Sequence, residues 1–433
     1  MSRIDALEPL LLLVVLLAAV VAIAVLARRS DIPASVVFVI VGLGVAIVGP
    51  SVSIPVTPEL LLAIVLPGLV FEAAFRTDLD ALRPSAAPIL LLAVPGVVVV
   101  AAVVAAVLSV TTSLSPGEAF VVGAMVAATD PAAVLATFRH VPVPARLATT
   151  VEMESLVNDG TGIVLFGLSL DLLLRSGSID GAIVAFVVSV GGAVALGGLL
   201  GWAAARLIGR VDDAVTELTI TVVLAYGTYL LATAIGLSGV IATLVAAGVF
   251  GVQSRGRLTV RARESIDLMW EFIAFLLTAF VFLLVGLVIA PSALIHAVGP
   301  IVAGIVAVLI ARALVVYGLL GAASRLLARG APGRRRPGSG EIASTFAPIP
   351  LAWLHVLFWA GLRGAVSVAL ALSLPADVPN RPLLQGITFG VVLFTLLVQG
   401  TTAPWVIRRT GAGAILSGAR AGRSTAGGAA SET

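Results

Sequence analysis

The sequence predicts an all-α polytopic membrane protein of about thirteen transmembrane helices, built as inverted repeats with two discontinuous helices that cross. Three observations carry this reading. Charged residues occupy only 11% of 433 positions and the mean hydropathy is +1.16, whereas a soluble domain carries about 25% charge. Apolar runs of the length needed to cross a hydrocarbon core, about 20 residues, recur from Leu10 to Ile407. The few charges inside those runs gather in three short stretches, two of which also carry helix-disrupting residues.

Cut at charges and at Pro/Gly-rich breaks, the runs fall at 9–27, 33–49, 58–75, 85–110, 116–138, 144–174, 180–208, 214–235, 239–252, 266–290, 293–323, 350–374 and 382–407. These are spans one to thirteen. The ninth is the shortest. The first exceeds the apolar core of a signal peptide, and Arg28-Arg29-Ser30-Asp31 does not resemble a small-residue cleavage site, so it is read as a retained span.

The arginines test the count independently. All 26 basic residues are Arg. With thirteen spans, 21 arginines fall on one side of the membrane and only Arg3, Arg175 and Arg381 on the other, leaving Arg312 and Arg363 inside spans. An error of one span would scramble this alternation. The positive-inside rule then puts the N-terminus outside and the C-terminus in the cytoplasm, with the cell membrane as the expected location. A pI near 10.1 is therefore a membrane signature, and no nucleic-acid partner is expected. The absence of cysteine excludes disulfides, thiolate metal sites and Cys nucleophiles.

Residues 1–410 are read as one transmembrane domain. Residues 329–340 form a cytoplasmic linker and 411–433 a Gly/Ala/Ser-rich disordered cytoplasmic tail, since neither can bury enough apolar surface to fold alone.

Ionisable groups within spans are costly and default to functional hypotheses. Span five carries Ala128-Thr129-Asp130-Pro131. Span six carries Glu152, Glu154 and Asn158-Asp159-Gly160, and span twelve carries Gly361-Leu362-Arg363-Gly364. At 1.5 Å per residue, Asp130, Asp159 and Arg363 lie roughly 20 Å into their spans, near the midplane. Pro131 removes a backbone donor and should interrupt span five; Gly361 and Gly364 loosen span twelve. One interrupted span is entered from outside and the other from inside. That is the inverted-repeat arrangement in which freed carbonyls and half-helix ends surround an ion.

In span six, Ser155 and Asp159 are four residues apart, as are Glu154 and Asn158, so each pair shares a face. Asp159 and Ser155, with oxygens from near Thr129, form an expected hard-cation ligand set. Asn158 and Glu154 brace it, and Glu154 is the expected partner of Arg363, since either charge alone would be uncompensated. Asp130 either ligates the ion or caps the broken helix, the second being favoured. Glu152 either guards the cytoplasmic funnel or has no such role. Glu72 and Arg76 read as an interfacial helix pair, and Asp267 and Glu271 as interfacial residues opening span ten. His140, His296 and His355 lack metal-ligand spacing. Pairs such as Gly191-Gly192 and Gly197-Gly198 read as helix-packing contacts.

At these residues the chain resembles the prokaryotic Na+/H+ antiporters of the NhaP type, within the cation:proton antiporter family that includes the eukaryotic sodium/proton exchangers. The stretches that carry the likeness are FEAAFRTDLDALR, ATDPAAV, ESLVNDGTGIVLF, GLSGVIATLVAAGVFG, WEFIAFLLTAFVFLLVGL, GLRGAVSVALALSLP and LFTLLVQGTTAPWVIRR. They run from span three to span thirteen. The resemblance implies a homodimer, with a mobile core of spans four to six and eleven to thirteen (about 85–174 and 293–407) and a scaffold at about 9–75 and 180–290. It implies that Asp159 binds both ion and proton, that Thr129, Asp130, Ser155 and Glu154 line the site, and that Asn158 and Arg363 mark the electroneutral branch. Thr278 departs from an asparagine expected in span ten.

The function that follows is exchange of a monovalent cation, Na+ or Li+, for H+ at Asp159, one for one and electroneutral, with no cofactor beyond the transported ions. A K+/H+ exchanger would use the same machinery. A proton-coupled organic-anion carrier is a different class; it needs an unpaired midplane arginine, which the expected Glu154 partner argues against. An intramembrane aspartyl protease would place Gly-x-Gly-Asp where this chain has Asp-Pro and Asn-Asp-Gly, and buried charge pairs suit occlusion better than a bare channel.

Overall fold

Hydrocarbon offers peptide groups no water, so each span must satisfy its own N–H and C=O groups. The computed structural model describes residues 8–27, 33–48, 58–76, 85–138, 140–175, 179–211, 213–254, 256–288, 294, 297–329 and 349–412. Within them the regular structure is helical throughout, and all thirteen spans are present. Arg3, Arg28, Arg29, Arg83, Arg139, Arg255, Arg334, Arg335, Arg336, Arg420, Arg423 and His296 lie outside the described residues, as do 330–340 of the linker and the tail from 413.

Spans one to three are Glu8–Ala27, Ala34–Val48 and Pro58–Arg76. Span four is Ala86–Ala93 and Pro95–Thr111, jointed at Val94 because Pro95 restarts the helix. Span five is split into Pro116–Met125 and Ala132–Phe138, and span six is the continuous Ala145–Arg175. Spans seven to ten are Ile179–Ile208, Ala214–Ala234, Gly239–Gln253 and Val260–Val288. The short ninth span is a true helix, opened by Ser238, whose Oγ accepts from the Ile241 N–H.

Span eleven runs from Val298 through a π-helical turn, Leu314–Leu320, to Arg329. It therefore continues about two turns past its predicted end near residue 323, through the polar-faced segment that carries Arg325. Span twelve is split into Leu351–Trp359 and Ala365–Leu372. Span thirteen, Arg381–Thr410, contains a second π turn at Thr395–Gly400. Among the described residues seven helices, spans four, six, seven, eight, ten, eleven and thirteen, are individually long and apolar enough to cross a bilayer.

Spans four, five, six, eleven, twelve and thirteen pack on one another; spans two, three, seven, eight, nine and ten form a second group. The groups touch where span twelve meets spans three and ten, where span six meets spans three, seven and nine, and where span two meets spans five and thirteen. In the second group small residues set the helix separation. A Cβ at Gly197 or Gly201 of span seven would run into the backbone of Ala242 or Ala246 of span nine. Gly192 similarly faces the Leu237 side chain, but Gly191 and Gly198 face open space, so only one glycine of each predicted pair makes the contact. Span seven turns Ile183, Val184, Val187, Val188 and Leu199 outward, as a lipid-facing surface requires.

Candidate functional site

Span five begins at a capping box. Ser115 Oγ accepts from the Glu118 N–H at 3.3 Å, and the Glu118 carboxylate accepts from the Ser115 N–H at 2.7 Å. Asn380, at the head of span thirteen, donates to the same carboxylate at 2.8 Å and ties the two spans together. Ten residues later the helix ends at Met125, and the chain is non-helical through Thr129, Asp130 and Pro131 before Ala132 restarts it. Span twelve opens in the same way between Ala360 and Ala365.

The two breaks meet. The Asp130 N–H donates to the Leu362 carbonyl at 2.8 Å. The Asp130 carboxylate accepts from the Ala132 N–H at 3.0 Å and from the Ala365 N–H. One side chain therefore caps the second half of both interrupted helices, where unpaired N–H groups and the helix dipoles favour negative charge. The carboxylate fills the space where a Cβ at position 364 would lie. Gly364 is thus required by a close approach rather than by backbone freedom.

Span six lies against this crossing. Thr129 is held at both its backbone and its side chain: its N–H donates to Asn158 Oδ1 at 3.1 Å, and its Oγ1 accepts from Asn158 Nδ2 at 2.7 Å. Ser155 Oγ donates to the Thr129 carbonyl, which leaves the hydroxyl lone pairs free. Ser155, Asn158 and Thr129 are buried, while Asp159 is only half-buried. The Asp159 carboxylate makes no hydrogen bond among the described residues and lies within electrostatic reach of Asp130.

Glu154 is where the structure corrects the sequence reading. Its partner is Arg312 of span eleven, not Arg363. Arg312 Nη1 meets Glu154 Oε1, and Nη2 donates to Oε2 at 3.1 Å. The same guanidinium donates to the Leu357 carbonyl from Nη2 at 2.7 Å and from Nε at 3.3 Å. Leu357 would bond the Gly361 N–H in an unbroken helix, but that N–H turns to Phe358 instead, so the break supplies Arg312 with a free acceptor. A Cβ at Gly361 would come within 2.7 Å of Arg312 Nε. Each glycine of the Gly-Leu-Arg-Gly stretch thus makes room for a charged side chain from another span. Glu154 faces span eleven while Ser155, one residue on, faces span five: successive residues on a helix point about 100° apart.

Arg363 is wholly buried, at 0% exposure. Its N–H donates to Thr395 Oγ1 at 3.0 Å, at the start of the span-thirteen π turn, and its Nη1 points to the Ala128 carbonyl at 3.4 Å. Nε and Nη2 have no hydrogen-bond partner among the described residues. It therefore sits at the carbonyl end of the first half of span five, where the helix dipole favours a cation.

Glu152 is half-buried, two turns before Asp159, and within electrostatic reach of Glu72 and Arg76. Arg76 forms the expected helix pair with Glu72 at 2.8 Å and approaches Glu271 of span ten at 3.7 Å. The residues that sequence reasoning missed are Arg312, Leu357 and Thr395. Only Arg312 carried a signal, as a charge inside a span. Two arginines competed for one glutamate, and chain position does not choose between them.

The comparisons with known proteins agree with this geometry. Residues 15–409 match the family described as sodium/hydrogen exchanger, transmembrane. The chain is 38% identical over 400 residues to the Na(+)/H(+) antiporter ApNhaP of Aphanothece halophytica, covering 91% of this chain and 72% of that protein. It is 33% identical over 365 residues to the Na(+)/H(+) antiporter NhaP of Pseudomonas aeruginosa, covering 82% of each. The structure of the sodium proton antiporter MjNhaP1 from Methanocaldococcus jannaschii shares the fold, with a TM-score of 0.74 at 20% identity over 94% of this chain and 99% of that one. A multi-pass helical chain whose two broken helices meet at a cluster of buried charges, and whose sequence matches one transporter family over nearly all its spans, belongs to the sodium/hydrogen exchanger family.

Proposed function

We propose that this chain is a secondary active antiporter that exchanges Na+, or Li+, for H+ at Asp159, one for one and without net charge movement. The observation that carries the proposal is the state of the Asp159 carboxylate. It stands on an unbroken helix beside the crossing of two broken ones, half-buried and without a hydrogen-bond partner among the described residues. A carboxylate lifted out of water is stabilised by a proton or by a bound cation, and each displaces the other. Ser155 and Thr129 oxygens complete a hard-ligand set beside it.

Formal charge supports a one-for-one cycle. Around the crossing Asp130, Glu154 and Asp159 carry three negative charges and Arg312 and Arg363 two positive ones, leaving one negative charge that one H+ or one Na+ cancels. The unloaded site, with its charge uncompensated in low dielectric, crosses poorly, which makes exchange obligatory. Glu152 stands on the path from the arginine-rich side. Spans four to six and eleven to thirteen move as the transport core against the remaining spans, in a homodimer, and the packing of the spans into two groups supports this division. The N-terminus lies outside and the C-terminus in the cytoplasm of the cell membrane, as the arginine distribution directs. No cofactor enters the cycle.

An organic-anion carrier needs an accessible midplane arginine. Arg363 does lack a carboxylate partner, but at 0% exposure its guanidinium is closed off from a substrate anion. A K+/H+ exchanger with the same ligands is the remaining alternative.

The test is cation-induced dequenching of a pH-sensitive dye in proteoliposomes, for the wild type and Asp159→Asn, across Na+, Li+ and K+. The wild type responds, the variant is silent, and the ion series identifies the substrate. Competition also requires the apparent KM for the cation to rise as pH falls, approaching tenfold per pH unit on the acid side, about the limit for one shared site. A current that scales with transport would refute electroneutrality, and silence toward every monovalent cation would refute the exchanger reading.

A further inference from the structure

The second group of spans carries a basic cavity that the exchange mechanism does not use. It measures about 530 Å³ and is lined by Arg206, Gly209, Arg210, Gly256 and Arg257. It lies where the end of span seven and the turn into span eight face the turn between spans nine and ten, on the arginine-rich side. Arg257 Nη1 donates to the Ala205 carbonyl at 2.6 Å, and its stem crosses Gly209, where a Cβ would lie 3.3 Å from Arg257 Cδ. The Arg206 guanidinium sits over the Trp202 ring at 4.6 Å. Two of the three cations are thus held in place before any ligand arrives. None of the three pairs with a carboxylate among the described residues. Asp213, nearby in sequence, turns to the Thr216 N–H and hydroxyl at 2.9 and 2.6 Å, bonds that hold its carboxyl below the usual carboxylate range. Gly256 leaves open space at the cavity wall.

We infer that this cavity holds the phosphate of an anionic lipid headgroup. Three arginines lining one cavity, with no carboxylate partner among the described residues, suit a phosphate's several acceptor oxygens. The neighbouring surface selects a lipid over a soluble anion: Leu199, Trp202 and Leu207, on the turns of span seven leading to the cavity, are 60%, 41% and 50% exposed. They form an apolar flank for acyl chains directly below a cationic head site, the arrangement by which basic pockets at membrane surfaces retain anionic lipids. The lipid would pin the span-seven and span-nine ends together at a point remote from Asp159.

The experiment is thermal unfolding of the purified full chain in mild detergent, followed by tryptophan fluorescence. Dioleoylphosphatidylglycerol, dioleoylphosphatidylcholine or sodium phosphate is titrated in. Phosphatidylglycerol is expected to raise Tm by about 2–5 °C, as a ligand of the folded state does, with phosphatidylcholine and inorganic phosphate giving no shift. Arg206→Gln/Arg210→Gln should weaken the apparent affinity for phosphatidylglycerol by roughly thirtyfold. Arg325→Gln/Arg408→Gln, which removes the same charge elsewhere, should leave it unchanged. Arg257→Gln is avoided because it also unties the Ala205 carbonyl. A shift with inorganic phosphate equal to that with phosphatidylglycerol would make the site one for a free anion and overturn the lipid assignment. Equal phosphatidylglycerol shifts in both double variants, or no shift in the wild type, would overturn the site itself.

Discussion

Spans seven and nine meet as unbroken helices, with Gly197 and Gly201 drawn against the backbone of Ala242 and Ala246. Spans five and twelve meet where both helices have come apart, and their contact is made by a carboxylate and a freed carbonyl. In the first region both helices are continuous where they touch, so shape is what is left to optimise there and small residues suffice. In the second, each break exposes N–H and C=O groups that hydrocarbon cannot solvate. The charged residues are the answer to that exposure. Asp130 takes the N–H groups of Ala132 and Ala365, Arg312 takes the carbonyl of Leu357, and Arg363 takes that of Ala128. Three in-span charges thus repair broken backbone, whereas Asp159 makes no hydrogen bond among the described residues.

Four sets of substitutions probe the contrast, the first through exchange and the others in order of decreasing effect on stability. Gly364→Ala puts a methyl where the Asp130 carboxylate lies; overpacking of that kind costs about 1–3 kcal/mol and dislodges the cap of both half-helices. Proteoliposome exchange is expected to fall at least roughly tenfold, and near-wild-type exchange would mean that the crossing tolerates displacement of Asp130. Arg312→Gln strands Glu154 in the interior, a loss of about 3–5 kcal/mol that should lower Tm by several degrees. Glu154→Gln/Arg312→Gln should recover part of it, and a double variant no better than the single would show that the Leu357 contact dominates.

Gly197→Ala should cost about 1–3 kcal/mol through collision with Ala242, while Gly198→Ala, which faces open space, should change stability by less than about 0.5 kcal/mol. Equal Tm values for the two would remove the close-packing account of spans seven and nine. The smallest effect is expected of Arg76→Gln. Its pair with Glu72 is part-exposed, with Arg76 at 43%, so the loss should stay under about 1 kcal/mol, read as a Tm change of a degree or two.

Much of the architecture was legible along the chain because the bilayer acts locally. Length and hydropathy delimit a span without reference to its neighbours, so even the short ninth helix was found. Pro131 marked one break by removing a donor, and Gly361 with Gly364 marked the other. The misjudged end of span eleven lies in a segment whose arginines resemble a loop until its polar face is seen to be helical. The candidate site was legible as a set of residues, and less so as a set of partners. Asp130, which the sequence leaves as an ion ligand or a cap on one broken helix, caps two; Asn158, expected as a brace, clasps Thr129 at two atoms.

Hydropathy, proline, glycine and the rare in-span charges are enough to set the solvent of this protein, its thirteen spans and the places where two of them break. Each is a property of a contiguous stretch set by the cost of polar groups in hydrocarbon. Packing between spans is what makes Glu154 face Arg312, Arg363 answer a carbonyl instead of a carboxylate, and Asp159 stand without a hydrogen-bond partner among the described residues. Those outcomes depend on which helix faces meet. Residues 158 positions apart, as Glu154 and Arg312 are, find each other only after the spans have packed, and no local pattern ranks one buried arginine above another.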